Sequence, residues 1–110
     1  MAKLRHIAMV VEEIEKTAQF YEKSFGMERV RQTDTAIGLS DGIVSLVIIH
    51  PSNVNMKGDS HRGLHHLGFL VDDLDQESAK VEANGAVPHG GIINSERGTK
   101  TGRATRWRCW

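Results

Sequence analysis

Read for where apolar and polar residues fall, the chain opens on a short apolar run, Ile7 to Val11, followed by the acidic pair Glu12-Glu13. From Ile14 the spacing changes: Ile14, Ala18, Tyr21 and Phe25 recur at helical intervals, and Gly26 supplies the stop expected where the backbone turns left-handed. Glu28 to Thr33, Thr35 to Leu39 and Ile43 to His50 read as three strands, with Ser40-Asp41-Gly42 as the hairpin turn between the last two. Pro51 to Gly63, rich in Ser, Asn, Gly and Asp, reads as a linker.

The opening is then written again. Leu4-Arg5-His6-Ile7-Ala8-Met9-Val10-Val11 followed by Glu12-Glu13-Ile14 is matched by Leu64-His65-His66-Leu67-Gly68-Phe69-Leu70-Val71 followed by Asp72-Asp73-Leu74, at a constant offset of 60 residues. A second helix is expected through Leu74, Ser78 and Val81, stopping at Gly85. Ala86 to Asn94 has room for one strand, weakened by Pro88 and Gly90-Gly91, and Arg103 to Trp110 alternates as a half-buried strand would. Two copies do not make a solenoid, so the expectation is an α+β fold of two βαβββ-type modules related by a pseudo-twofold. The expected single domain spans 1–110: module one covers about 3–51, the linker about 52–63 and module two about 64–110. Module two is expected to be truncated, because module one has one more strand than the remaining sequence supplies.

Composition narrows the partners. Lys+Arg and Asp+Glu both total 14, and no long run carries one sign, which argues against a nucleic-acid or membrane-surface partner. The basic residues Arg97, Lys100, Arg103, Arg106 and Arg108 are spread among Gly and Thr, as on a solvated strand face. The apolar run at the N-terminus is too short for a signal peptide or a membrane span, and Cys109 is the only cysteine, so the reading is a cytoplasmic protein without an intrachain disulfide.

Chemistry enters through histidine. Side chains alternate along a strand, so Ile7, Met9 and Val11 share the side expected under the helix, and His6, Ala8 and Val10 share the other. In the repeat, Leu67, Phe69 and Val71 take the helix side and His66 takes the place of His6. One strand histidine is most simply a residue satisfied by a backbone carbonyl. Two at equivalent positions of paired strands are the start of a transition-metal site, because neutral imidazole suits Fe, Zn, Ni and Cu, although a catalytic centre usually adds a carboxylate.

The run His6-Ile7-Ala8-Met9-Val10-Val11, the helix end Phe20-Tyr21-Glu22-Lys23-Ser24-Phe25-Gly26-Met27 and the run His66-Leu67-Gly68-Phe69-Leu70-Val71-Asp72-Asp73-Leu74 resemble the two module openings of the vicinal-oxygen-chelate (VOC) superfamily, over about residues 3 to 85. This is the glyoxalase / bleomycin-resistance / dihydroxybiphenyl (extradiol) dioxygenase fold. The resemblance implies a cup with up to four metal-ligand positions, of which His6 and His66 match the two on first strands. It also implies a divalent metal (Fe2+, Mn2+, Zn2+ or Ni2+), a small-molecule substrate bound through vicinal oxygens, and dioxygenase or lyase chemistry. Val47 stands where the family often carries a glutamate. An apolar residue there resembles the extradiol dioxygenases, with their two histidines and one carboxylate, and the strand that would bear that carboxylate is not found before Trp110. His50 has the wrong parity relative to Val47, His65 is expected on the helix side, His61 reads as a solvated linker residue, and His89 and Glu96 have no assigned place. No catalytic residue is assigned. Two other readings stand beside the enzyme: a metal-free module that binds a small molecule, as the bleomycin-resistance proteins do, and a truncated inactive form. The aromatics Phe20, Tyr21, Phe25 and Phe69 read as core rather than as the lining of such a module. An uncovered sheet edge makes a homodimer the expected assembly under all three.

Overall fold

The computed structural model describes residues 2–88, 93–97, 100–104 and 107–108. These fall into two compact units, Ala2–Leu70 and the part from Val71 onward. In the first unit the elements are β1 (Lys3–Val10), α1 (Ile14–Phe25), β2 (Glu28–Gln32), β3 (Ala36–Ser40), β4 (Ser45–Ile49) and β5 (Gly63–Leu70). They form a single sheet in the order β2-β3-β4-β1-β5. β1 runs parallel to β4 and antiparallel to β5, and β2, β3 and β4 form an antiparallel meander. The opening strand of the second copy thus lies in the first unit, against the opening strand of the first.

Local chemistry accounts for these elements. Gly26 closes α1 at φ 67 and donates its N–H to the Glu22 carbonyl. The turn between β3 and β4 is held by Asp41, whose Oδ1 accepts from the N–H groups of Ile43 (2.8 Å) and Val44 (2.6 Å). Those two donors hold the Asp41 carboxyl below its ordinary range, Val44 contributing most. Alternation in β3 and β4 points Ile37, Leu39, Leu46 and Ile48 to one face, where they bury together with Ala18 of α1. Ile7, Met9, Val11, Ile14, Tyr21 and Met27 pack around this cluster, so the helix-covered face is the expected one. Phe20 and Phe25 depart from expectation: both are exposed beside Tyr21, Phe20 because it falls off the stripe of Ile14, Ala18 and Tyr21, and Phe25 because it is the last residue of α1. Phe69 is likewise exposed. The linker is less solvated than its composition suggests, for it makes a short 3-10 turn at Val54–Met56 and buries Met56.

In the second unit, α2 (Leu74–Ala83) is capped by Asp73, whose Oδ1 accepts from the Gln76 N–H at 3.1 Å. Gly85 follows the end residue Asn84 at φ 100. Beyond it lie β6 (Val87–Pro88), β7 (Ile93–Arg97), β8 (Lys100–Ala104) and β9 (Trp107–Arg108). β7 pairs with β8 as an antiparallel hairpin, and β6 pairs with β9. The range Ala86 to Asn94, expected to hold one strand, contains the two-residue β6 and the start of β7, and the β7–β8 hairpin was not expected. Asn94-Ser95-Glu96-Arg97 and Lys100-Thr101-Gly102-Arg103 alternate no apolar with polar residues, so they carry no period-two signal. Of the strand expected over Arg103 to Trp110, Arg103 and Ala104 belong to β8 and Trp107–Arg108 form β9. His89, Arg106 and Cys109 lie outside the described residues.

Candidate functional site: a histidine pair on the sheet face opposite the helix

The face of β1 turned away from α1 carries His6, Ala8 and Val10, and the last two are fully buried. The β4 neighbours of these residues are Ser45, Val47 and Ile49, and the β5 partner of Ala8 is His66. Ser45 thus stands beside His6, and the rest of the floor, Ala8, Val10, Val47 and Ile49, is apolar. The His6 and His66 rings stack with centroids 5.0 Å apart and planes 28° from parallel, and their Nε2 atoms approach to 3.0 Å. Residues separated by 60 positions meet because β1 and β5 are adjacent antiparallel strands.

Gly68 makes room for this contact. It lies opposite His6 in the ladder, and a Cβ on it would stand 2.8 Å from the His6 Cβ, closer than packed atoms come. Any residue larger than glycine here would displace the imidazole.

A break in the ladder adds a third ring. Ala8 pairs with His66 but Met9 pairs with Leu64, so His65 is an extra residue bulged from β5. The bulge corrects the expectation that His65 turns to the helix side. Its Nδ1 lies 2.8 Å from the His66 Nδ1, and its Nε2 faces the Asp59 Oδ2 at 3.6 Å. His61, expected as a solvated loop residue, lies on the exposed side of this group with its Nε2 at 2.6 Å from the Leu64 carbonyl and its ring 6.4 Å from that of His65. His50 takes no part: its Nδ1 contacts the Ser52 Oγ and accepts from the Ser52 N–H, within its own loop.

The donor set can be tested against a metal ion. Imidazole nitrogens bind at about 2.1 Å, so two at right angles around one ion stand about 3.0 Å apart and two at a tetrahedral angle about 3.4 Å. The observed 3.0 Å fits neighbouring positions of an octahedral ion. Among the described residues no group of three or more His, Cys, Asp or Glu side chains is arranged to hold a metal. Val47, beside Ala8 in the ladder, supplies no ligand atom. A separate hollow of about 560 Å³ lies at the far end of β1, lined by Val10, Glu12, Thr17 and Arg62, and Arg62 is paired with Glu12 at 3.2 Å. It contains neither histidine, and its broad mouth offers a ligand little enclosure.

Residues 3–103 match the model of the Glyoxalase/Bleomycin resistance protein/Dioxygenase superfamily, and the chain belongs to that superfamily. No curated protein matches the chain. Among solved structures, a hypothetical protein from Bacillus halodurans C-125 superposes with a TM-score of 0.71 at 18% identity, covering 97% of this chain and 84% of that one. A variant of Streptomyces coelicolor methylmalonyl-CoA epimerase in complex with 2-nitronate-propionyl-CoA gives 0.65 at 20% identity, covering 96% and 84%. The methylmalonyl-CoA epimerase from Mycobacterium tuberculosis gives 0.66 at 17%, covering 96% and 77%. At such identities the likeness is one of fold. No described helix is long and apolar enough to cross a membrane.

Proposed function

We propose that the chain holds a divalent metal ion, one of Fe2+, Mn2+, Zn2+ or Ni2+, between His6 and His66, and there takes two neighbouring oxygens of a small-molecule substrate. The observation that carries this reading is the 3.0 Å approach of the two Nε2 atoms on the sheet face opposite α1. The ion would act as a Lewis acid toward the substrate oxygens. Among the described residues, His6 and His66 would hold two neighbouring positions, and Ala8, Val10 and Val47 give the site an apolar floor. Val47 neither ligates nor takes a proton, which favours a dioxygenase-like centre over one with an acid at that place. The epimerase structures, solved with acyl-CoA compounds, support a carbonyl-bearing substrate as the competing choice within the same chemistry. A metal-free binding module is the second reading, favoured by the presence of only two nitrogen ligands among the described residues.

Elemental analysis of protein purified without chelator decides between them. Wild type is expected to carry close to one metal ion per chain, and a His6→Ala/His66→Ala double variant to carry almost none. Equal metal content in the two proteins sinks the metal reading. Small-molecule binding that survives chelation would then support the empty module.

A further inference from the structure

We infer that Asp59 and His65 are positioning residues that set the tautomer of His66, so that its Nε2 presents a lone pair toward His6. The inference rests on the metal reading above and deepens it.

Two imidazole nitrogens 2.8 Å apart need one proton between them, so of the Nδ1 atoms of His65 and His66 one donates and the other accepts. Asp59 breaks the tie. Its Oδ2 lies 3.6 Å from the His65 Nε2, longer than a hydrogen bond but near enough for the carboxylate to favour the tautomer with the proton on that nitrogen. With His65 protonated at Nε2, its Nδ1 is the acceptor, and His66 must donate from Nδ1. A neutral His66 protonated at Nδ1 carries its lone pair on Nε2, the atom 3.0 Å from His6. In the metal-free protein His6 then donates from Nε2 to that lone pair. The direction of the chain, from His66 through His65 to a carboxylate, is what a metal-ligating imidazole requires on its far side. The β5 bulge is what brings His65 alongside, since an unbroken ladder would turn it to the opposite face.

The test is nitrogen-15 NMR of the metal-free, full-length chain with labelled histidine, at a pH above the titration of imidazole. The expected spectrum has His66 protonated at Nδ1 and His65 at Nε2; His66 protonated at Nε2 overturns the inference. In Asp59→Ala both rings should become tautomer mixtures, and an unchanged His66 would remove Asp59 from the assignment. Co2+ titration supplies the second readout. His65→Phe, which has no acceptor, should weaken Co2+ binding about tenfold or more, while His65→Gln, whose amide oxygen can accept, should restore most of it. Equal affinity in wild type and His65→Phe overturns the positioning role. Should wild type itself bind no Co2+, the metal reading fails while the NMR result still decides the tautomer.

Discussion

Gly68 contributes only its lack of a side chain, and on that lack the His6 ring depends. A methyl group there would stand 2.8 Å from the His6 Cβ, so Gly68→Ala must push the imidazole or its strand aside. The expected cost is about 1–3 kcal/mol of stability, the usual range for a forced overlap, together with a weaker hold on Co2+ as the ring pair opens. Urea unfolding and metal titration of the variant check both, and a variant with wild-type midpoint and affinity would show that the ring has room to spare. The need for glycine was invisible in the sequence, because it arises from a partner 62 positions away in the chain, His6, and not from any local turn. The two histidines themselves were legible, since each occupies the same place in a repeated strand.

Among the elements, α1 is fastened to β2 by one guanidinium. Arg29 places Nη1 2.7 Å from a Glu15 oxygen and Nη2 2.5 Å from a Glu22 oxygen, tying the first and third turns of the helix to the strand that follows it. The hydrogen bond from Arg29 is the main cause that holds the Glu15 carboxyl below its ordinary value, and the bond from Gln19 adds to it. A carboxyl with a lowered pKa in the folded state lends stability above its unfolded value and loses it as pH falls through the folded one. Arg29→Gln should therefore unfold at lower urea near neutral pH, with the gap from wild type narrowing at about pH 3, below the ordinary carboxylate range. A gap that stays constant or widens there would exclude the ion pairs as its source. At this scale, legibility followed the kind of signal each element carries. α1, the Asp41-Gly42 turn and the strands of the meander were readable from periodicity and turn chemistry. The bulge at His65 was not, because strict alternation assumes an unbroken ladder, and the β7–β8 hairpin was not, because Asn94 to Arg97 and Lys100 to Arg103 carry no period-two apolar pattern.

In the whole molecule, the core and the histidine pair are assembled from different distances along the chain. Ile37, Leu39, Leu46 and Ile48 come from a hairpin of neighbouring strands and are covered by the helix just before them. The pair needs β5, which reaches β1 only after the long linker and sits at the edge of the sheet, with every described side chain exposed or half-buried. Edge strands with little buried surface open at lower free energy than the strands beneath them. Native-state hydrogen exchange should accordingly find the β5 amides that bond to β1 exchanging well before those linking β3 and β4, and equal protection in the two places would contradict this. If β5 peels back, the hydrophobic cluster stays shut while His6 and His66 part company, so on the proposed metal reading a folded form without its metal site would result. Spectra that report helix and sheet content would hardly register the loss, and the amount of material that looks native would overstate the amount that can work.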